Sequence, residues 1–429
     1  MTTVDNDETD VRDGRYQVLA LLCVSAAIAY IQRSALSVPA AEIAGDLSFN
    51  DLARDMGWIH TAWYLSYGLM QIPSGFVADR LGSRLALAIF SVLWSLATLL
   101  SAFATDFYTL LLMWGLMGAA QAGAFPSAAK AIGRIFAESE RARASGLLAG
   151  GMMVGGAIAP LLTALFLQSL SPWAAAWHID GWRLLLAAYA IPGIIWTVVF
   201  LGMISLRKLP TTESANQLRA AIDWSRMLRS WPLALLCGQQ FFRAAGMVFF
   251  VTWFPTFLQE TRDVSLLGSG ILTTVPGIGG VVGSLTGGFF SDWLFKSTGN
   301  RRLSRQGIAV VGMGACSLLI LSSYFVSDVN GSIALITIGV FCATFGGVSG
   351  YTVAIGFGGR HVATVFSTMN MFGNMGAALF PVTAGWLVAQ TGNWNLILFL
   401  FAGIMAIDAV CWALLNPRGT LFGDEHENR

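Results

Sequence analysis

Residues 75–84 have the sequence Gly-Phe-Val-Ala-Asp-Arg-Leu-Gly-Ser-Arg, and part of it returns 213 positions later as Gly-Phe-Phe-Ser-Asp at residues 288–292. Each copy lies where a long apolar run ends and a short basic loop begins. A chain of 429 residues that repeats itself at this spacing is expected to consist of two related halves. When such halves are built from membrane spans, they commonly enclose a site that opens alternately to either side. The repeat therefore predicts a transporter.

The composition predicts that both halves lie in a membrane. Apolar residues make up 55% of the chain, charged residues make up 11%, and the mean hydropathy is +0.65, whereas soluble domains carry about 25% charged residues. About 20 apolar residues cross a bilayer as a helix. We therefore predict an all-α integral membrane protein with twelve transmembrane helices in two pseudo-symmetric six-helix bundles, at 17–40, 58–78, 84–104, 107–132, 146–170, 183–206, 232–258, 267–291, 307–327, 332–356, 363–390 and 394–415.

The twelve spans divide the chain into five segments. We expect a cytoplasmic amino-terminal segment, a first half, a cytoplasmic linker, a second half and a cytoplasmic tail, at 1–16, 17–206, 207–231, 232–416 and 417–429. The linker contains Leu218, Ile222 and several arginines, which is compatible with an amphipathic helix on the membrane surface or with a solvated connection.

The distribution of basic residues predicts the orientation. With the amino terminus inside, the cytoplasmic segments hold twenty of the 25 Lys and Arg residues. The predicted outer loops hold only Arg54, Arg183 and Arg262. Because cytoplasmic loops are enriched in Lys and Arg, both termini are expected on the cytoplasmic side. The membrane is expected to be a cell membrane, such as the bacterial inner membrane. Span 1 is expected to serve as the insertion signal, because the acidic residues 1–16 have no features of a cleavable signal.

Several function classes find no support in the sequence. The five cysteines all fall in predicted spans without a Cys-x-x-Cys pattern, and the four histidines are scattered, so we expect no disulfide, metal or cofactor. We find no P-loop and no catalytic Ser/His/Asp arrangement, and we expect no enzyme. The net charge of +1 gives no indication of a nucleic-acid partner. Nothing in the chain requires an oligomer, so we expect a monomer in the lipid bilayer.

Three charged residues inside spans indicate where a solute binds. These are Arg33 in span 1, Arg243 in span 7 and Asp408 in span 12. A charge at the centre of a span costs about 2.5–3.5 kcal/mol and normally faces a cavity. The two arginines are 210 positions apart, so they are near-counterparts on the first helix of each half. Two guanidinium groups suit a carboxylate; alternatively, each arginine pairs with a helix end or with Asp408 and only stabilises the bundle.

Polar residues at helical spacing accompany these arginines and predict a polar pathway for a polyhydroxylated solute. Each of them has the alternative role of an interhelical hydrogen bond. They are Tyr30 in span 1, Tyr64, Tyr67 and Gln71 in span 2, Gln240 in span 7, and Asn370 and Asn374 in span 11. Small residues before a proline also recur, at 155–160 in span 5 and at 376–381 in span 11, which predicts close helix contacts in both halves.

Over essentially all its length the chain resembles the major facilitator superfamily, whose signature is similar to residues 75–84. Within it, the chain resembles the anion:cation symporter family, which carries organic anions such as sugar acids. The resemblance rests on residues 30–33, 67–75, 124–126, 252–258, 291–294 and 369–374, and the segment of spans 7 and 8 is most similar to glucarate and hexuronate carriers. It implies substrate-binding roles for Arg33, Tyr30, Tyr67, Gln240 and Asn374.

The chain departs from that family at the positions that usually couple transport to protons. Gln32 and Gln121 stand where proton-coupled members usually have acids, and Trp114 stands in place of an arginine of span 4. Because glutamine does not exchange a proton, we expect transport to depend weakly on a proton gradient, with exchange or facilitated uptake as the simplest mechanism. Sodium bound at carbonyls and amides is a second route. A proton carried by Asp408 is a third route of coupling. The alternative role of Asp408 is structural, as the ionic partner of an arginine. We include Gln32 and Gln121 among the expected substrate-binding residues.

The leading hypothesis is a secondary active or facilitative carrier of a small organic anion, and we expect that anion to be a sugar acid, namely a uronate, aldarate or aldonate. A cytoplasmic latch is expected from Gly75, Asp79, Arg80, Gly82, Arg84 and Asp292. The alternatives are a carrier of another mono- or dicarboxylate and a membrane sensor that binds the anion without moving it. A carrier of neutral or cationic drugs is disfavoured by the two arginines, which one intramembrane acid cannot both neutralise.

Overall fold

The computed structural model describes residues 4–136, 138–205, 209, 229–358 and 362–417, and this part of the chain is helical, without a strand. The helices of the first half are α1 (Val4–Arg33), α2 (Ala40–Asp46), α3 (Leu52–Ser101), α4 (Phe107–Gln121), α5 (Ala124–Ile135), α6 (Glu138–Trp177) and α7 (Gly181–Met203). Those of the second half are α8 (Trp231–Thr252), α9 (Phe254–Arg262), α10 (Leu266–Thr298), a π-helix (Arg302–Gly307), α11 (Ile308–Tyr324), α12 (Val329–Gly347), α13 (Ser349–Gly358), α14 (Val362–Thr391) and α15 (Leu396–Leu414).

Ten segments of the described residues are long and apolar enough to cross a membrane, and they correspond to ten of the twelve predicted spans. The other two predicted spans, 58–78 and 107–132, are also helical: the first lies within α3, and the second is divided between α4 and α5. The prediction of an all-α integral membrane protein is confirmed.

Several boundaries differ from the predicted ones. Span 1 was predicted to reach residue 40, but α1 ends at Arg33 and Pro39 precedes the short helix α2. Span 7 is divided at Trp253, and the new helix α9 begins there with Pro255 in its first turn. Proline is tolerated in the first turn of a helix because the N–H that it lacks would have no acceptor within the helix. The predicted amphipathic helix or solvated linker, at 207–231, and the tail after residue 417 lie almost entirely outside the described residues.

Gly82 interrupts α3 between the second and third spans. Its backbone has φ 77° and ψ 156°, a non-helical conformation inside an otherwise helical segment. Residues with a Cβ atom rarely adopt a positive φ of this kind, whereas glycine does so at no steric cost. The segment 75–84 therefore contains the point at which the chain turns from one span into the next.

The chain divides into two compact units, Met1–Gln217 and Leu218–Arg429, and the same helix pairings occur within each. In the first unit, span 1 packs on span 5 (α1 on α6), span 2 on span 4 (α3 on α4), and span 3 on span 6 (α3 on α7). In the second unit, span 7 packs on span 11 (α8 on α14), span 8 on span 10 (α10 on α12), and span 9 on span 12 (α11 on α15). The internal duplication seen in the sequence is thus present in the packing of each unit.

Glycines allow these pairs to approach closely. A Cβ atom on Gly155 of α6 would lie 2.6 Å from the backbone oxygen of Ala27 in α1. A Cβ atom on Gly376 of α14 would lie 2.1 Å from the backbone oxygen of Phe241 in α8. Both glycines come from the repeated small-residue motifs, so the expected close contacts are present on the two helices that carry the arginines.

The three arginines expected in outer loops all bind loop or helix-end groups of their own unit. Arg183 Nη2 lies 2.6 Å from Asp46 Oδ2, and its Nη1 donates to the carbonyls of Ala102 and Ala104. Arg262 donates to the carbonyls of Val326 and Ser327. Arg54 pairs with Asp55 at 3.1 Å. Arg183 and Arg262 therefore join neighbouring loops or helix ends, whereas Arg54 pairs within the first turn of α3.

Candidate functional site

Arg33 is the last residue of α1, and aromatic rings surround its guanidinium group. The guanidinium carbon lies 3.5 Å from the centre of the Tyr30 ring and 5.3 Å from the centre of the Trp63 ring. Trp63 in turn stacks on Tyr67, with ring centres 5.0 Å apart, and contacts Tyr64 edge-on at 4.8 Å. The predicted tyrosines therefore lie together around Arg33, where a cation and an aromatic face attract each other.

No carboxylate of the described residues forms an ion pair with Arg33, and its Nε is buried without a hydrogen-bond partner. A cation–π contact leaves the guanidinium N–H groups available, because the ring interacts with the face of the group and not with its edge. An arginine in this setting can donate two parallel N–H bonds along its edge to the oxygens of an anion.

Arg33 borders a cavity that lies within the first unit and is formed by α1, α3, α4, α5 and α6. The cavity contains about 460 Å³ of empty space, part of it open to solvent. Its polar lining consists of Ser25, Tyr30, Arg33, Tyr67 and Gln121, and the rest of the wall is apolar. A concave space with a few convergent polar groups is the usual form of a small-molecule site.

The two glutamines that replace the family's acids differ in position. Gln121 lines the cavity, and its amide donates to the backbone oxygen of Ala29 at 3.2 Å. Gln32 is 1% exposed, and its amide donates at 2.5 Å to the backbone oxygen of Tyr189 in α7, so it does not line this cavity. Trp114 is fully buried and does not line it either. Tyr64 and Gln71 lie on the same helix as Tyr67 and are likewise absent from the cavity wall.

Arg243 of α8 lies in a different setting within the second unit. Its Nη2 donates to Gln240 Oε1 at 2.7 Å and approaches the Tyr351 hydroxyl at 3.5 Å. Its Cδ passes over Gly347 of α12, where a Cβ atom would lie only 3.0 Å from it. As for Arg33, no carboxylate among the described residues forms an ion pair with it, and its Nε is buried without a partner. The predicted pair of Gln240 and Arg243 is therefore formed.

The polar residues of span 11 lie on the helix that packs against α8. Asn374 donates to the backbone oxygen of Asn370 at 3.1 Å, one turn earlier in α14. Gly373 contacts the Gln240 side chain, since a Cβ atom there would lie 2.9 Å from Gln240 Cγ. The segment 370–374 thus borders the Gln240–Arg243 pair.

Asp408 of α15 is fully buried, and neither carboxyl oxygen has a hydrogen-bond partner among the described residues. The charge of Arg243 acts on it, although the two do not form an ion pair. The structural pairing of Asp408 with an arginine, one of the two roles considered from the sequence, is therefore not made in this arrangement.

The residues expected to form a latch make contacts near the ends of helices. Arg84 donates to the carbonyls of Ile204 and Leu201 at the end of α7, where the helix dipole favours a cation. Asp292 pairs with Arg305 of the π-helix at 2.7 Å. Gly75 has open space around it, Arg80 is exposed, and the side chain of Asp79 lies outside the described part of the structure.

Two site residues were missed in the sequence. Trp63 continues the stripe of Tyr67 and Gln71 at intervals of four residues, so the spacing itself was a usable signal. Tyr351 follows the glycine-rich end of span 10 and reaches Arg243 from a separate helix, α13. Nothing in the local sequence of Tyr351 distinguishes it from a tyrosine at the membrane interface.

A family model described as "Major Facilitator Superfamily" matches residues 22–357. The chain belongs to the major facilitator superfamily. This major facilitator protein is 26% identical to a probable sulfoacetate transporter of Cupriavidus necator, over 94% of each chain. It is 27% identical to a D-galactonate transporter of Escherichia coli, over 94% of this chain and 95% of the relative. It is also 27% identical to a hexuronate transporter of Bacillus subtilis, over 96% of this chain and 97% of the relative.

Solved structures agree with the fold of this major facilitator protein. A bacterial homologue of the human lysosomal transporter Spinster superposes with a TM-score of 0.76 at 19% identity, over 94% of this chain and 96% of the other. The nucleoside transporter NupG superposes with a TM-score of 0.71 at 15% identity, over 93% and 99% of the two chains. The resemblance to the superfamily and to sugar-acid carriers is confirmed by the relatives, and the fold by these structures.

Proposed function

We propose that this protein is a secondary carrier of a small organic anion, most closely a sugar acid such as a uronate, aldarate or aldonate. The observation that carries the proposal is Arg33, a cation without a carboxylate partner among the described residues that borders a cavity lined by hydroxyl and amide groups. Arg33 recognises the carboxylate of the solute, and Tyr30, Tyr67 and Gln121 offer hydrogen bonds to its hydroxyl groups.

Three observations support this assignment. The relatives that cover more than nine-tenths of the chain are named as transporters of galactonate, galactarate or glucarate, hexuronate and sulfoacetate, all of them anions. Arg243 offers a second guanidinium group with an adjacent amide, Gln240, in the second unit. The two arginines lie on spans 1 and 7, which are the first spans of the two repeated halves and therefore corresponding positions of the repeat.

We further propose that transport proceeds by alternating access in a cell membrane, with both termini in the cytoplasm and the protein acting as a monomer. The distribution of Lys and Arg supports the orientation. Gln32 and Gln121 do not exchange protons, so they do not couple transport to a proton gradient. Arg84 and Asp292, with their helix-end and ion-pair contacts, belong to the proposed cytoplasmic latch.

The test is counterflow in proteoliposomes loaded with D-galactonate, D-glucarate, D-galactarate, D-glucuronate or sulfoacetate. We expect the wild-type protein to exchange at least one of these anions and Arg33→Ala to exchange none. Lys296→Ala is the matched control, since it removes an exposed cation at the end of α10. Thermal-shift binding without any exchange would show a sensor instead, and neither binding nor exchange with any of the five anions would refute the sugar-acid assignment.

A further inference from the structure

Asp408 is a buried acid that the proposed anion site does not use. It lies in the middle of α15, its side chain has no solvent exposure, and both of its oxygens lack a hydrogen-bond partner among the described residues. Taking an ionised carboxylate out of water without a partner costs far more free energy than taking a neutral carboxyl group out of water. A carboxyl group in this position is therefore stable when it carries a proton.

The groups that face Asp408 come from the helices packed against α15. Arg243 on α8 is the cation whose charge acts on it, and the thiols of Cys316 on α11 and Cys411 on α15 lie within its electrostatic reach. Cys342 of α12 acts on Cys316. Helix α14 contains no ionisable side chain. The π-helix arginines are engaged elsewhere, Arg302 with Gln306 and Arg305 with Asp292. Arg243 is thus the natural ionic partner of Asp408.

Arg243 itself has an unused donor. Its Nη2 binds Gln240, while its Nε is buried and lacks an acceptor among the described residues. An unpartnered donor on α8 and an unpartnered acid on α15 therefore occur on two helices that pack against each other. An ion pair between Arg243 and Asp408 would satisfy both groups, and the charge of Arg243 already acts on this carboxyl group. Buried polar groups are normally paired. We therefore interpret the separated Arg243 and Asp408 as one of two arrangements, the other being a direct ion pair between them.

We propose that Asp408 is the proton-binding group of this transporter and that it exchanges its proton against pairing with Arg243. When an anion occupies Arg243, Asp408 takes up a proton from the compartment to which the site is open and stays neutral. When the anion leaves, Arg243 turns to Asp408, the carboxyl O–H bond breaks, and the proton is released to that compartment. One anionic charge and one proton therefore cross together, and the empty carrier returns with an internal ion pair. This inference rests on the proposed anion transport.

The arrangement replaces the acids that the family usually has in spans 1 and 4. With Gln32 and Gln121 in those positions, proton exchange moves to the second half and to Arg243, the second guanidinium group offered to the anion. The coupling then arises from competition: the anion and the Asp408 carboxylate are two acceptors for the same guanidinium group. Of the routes left open by the sequence, this is the one supported by the buried, unpaired carboxyl group.

The first experiment compares accumulation with counterflow in proteoliposomes, using the five anions named above. In the wild-type protein, a pH gradient should drive accumulation that a protonophore abolishes. Asp408→Asn should lose this accumulation completely and retain counterflow, because a fixed neutral side chain permits exchange but not proton release. Asp408→Glu should restore accumulation with a shifted pH profile, and Cys411→Ser, one turn away with the acid intact, should behave as wild type.

Gradient-driven accumulation by Asp408→Asn would overturn the proposal, and so would loss of counterflow together with accumulation, since that pattern indicates a structural role. A second measurement needs no transported solute. Infrared difference spectra of wild type against Asp408→Asn, without anion, should show a protonated carboxyl band that the variant lacks and that fades as the pH is raised. Absence of that band at every pH would also overturn the proposal. Absence of counterflow in the wild type, with the band present, would instead count against the proposed solutes.

Discussion

At the scale of single residues, the two arginines of the repeat have different neighbours. Arg33 lies against the rings of Tyr30 and Trp63, whereas Arg243 is held by an amide oxygen and acts on a buried acid. Aromatic faces fix the direction of a guanidinium group without consuming its donors. In the proposed mechanism, the first half therefore supplies a guanidinium group without an internal acidic partner, and the second half supplies one for which Asp408 competes.

Replacing Arg33 with lysine should abolish most of the transport although the charge is retained. A guanidinium group offers parallel N–H donors to a carboxylate, whereas an ammonium is a point charge on a flexible stem. Loss of a charge-assisted hydrogen bond costs about 1.5–3 kcal/mol, which corresponds to at least about tenfold weaker binding. Titration of purified Arg33→Lys with D-galactonate or D-glucarate, followed by thermal shift, checks this. Wild-type affinity in Arg33→Lys would show that bidentate recognition is not used.

The substitution Gly347→Ala should impair transport although it changes no charged residue. The Cβ atom of Gly347→Ala would lie 3.0 Å from Arg243 Cδ, so this side chain would have to shift from its present position. We expect a lower rate of counterflow and weaker anion binding in the purified variant. Gly314→Ala is the control, because a Cβ atom there meets nothing within 4 Å. Equal counterflow in both variants would mean that the position of Arg243 tolerates the displacement.

At the scale of helices, glycines in the middle of spans determine how closely the spans pack. The sequence predicted this from the two small-residue motifs, and it also predicted that helices cover all twelve spans, because long apolar runs have few alternatives in lipid. It did not predict the breaks at Trp253 and Val348, or the end of α1 at Arg33. An apolar run has the same composition on either side of such a break, so hydropathy alone does not locate it.

Adjacent glycines of α10 should respond oppositely to alanine. The Cβ atom of Gly287→Ala would lie 2.2 Å from the backbone oxygen of Phe345 in α12, whereas that of Gly288→Ala would meet nothing within 4 Å. Overpacking costs about 1–3 kcal/mol, so Gly287→Ala should unfold at a clearly lower temperature in detergent. Gly288→Ala should unfold at the wild-type temperature or above it, since alanine favours the helix. Equal melting temperatures would contradict the close contact of α10 and α12.

Two acids at the loop-facing ends of helices should give opposite pH dependences of stability. Burial raises the pKa of Glu42, although N–H groups of Trp182 and Gly181 oppose it, while the N–H of Thr109 lowers the pKa of Asp106. The stabilising contribution of Glu42 is therefore present at acidic pH and lost as the pH rises through its raised pKa. That of Asp106 is present above its ordinary pKa and lost as the pH falls through its lowered one.

Thermal unfolding of the wild type, Glu42→Gln and Asp106→Asn from acidic to neutral pH measures these contributions. As the pH rises, the wild type should lose stability relative to Glu42→Gln and gain stability relative to Asp106→Asn. Slopes of the same sign for both comparisons would show that at least one of the two environments is different in solution.

At the scale of the whole molecule, the duplication was readable from the sequence, and the candidate site only in part. The offsets of the repeated motifs indicated which helices correspond, because duplicated halves keep their order along the chain. Side-chain direction was not readable: Gln32 is adjacent to Arg33, yet it points to Tyr189 and not into the cavity. Neighbouring positions on a helix face different sides, and only packing decides which side is the cavity.

The orientation of the molecule should be visible through single cysteines in a cysteine-free background. The described structure has five free cysteines, none exposed, so replacing them leaves the loops unchanged. A cysteine at Thr105, between α3 and α4, should react with an impermeant maleimide in intact cells. A cysteine at Ser297, near the end of α10, should react only in inverted vesicles, because the basic-residue distribution places it inside. The reverse pattern would invert the proposed topology.

The three helix pairings that occur within each unit have a consequence for how the gene could be divided. Each half buries its own helix contacts, and none of these pairings needs a helix from the other half. Two separate polypeptides, interrupted after Gln217, should therefore each insert and resist proteolysis when produced alone. Joint production of the two fragments should then restore uptake in cells.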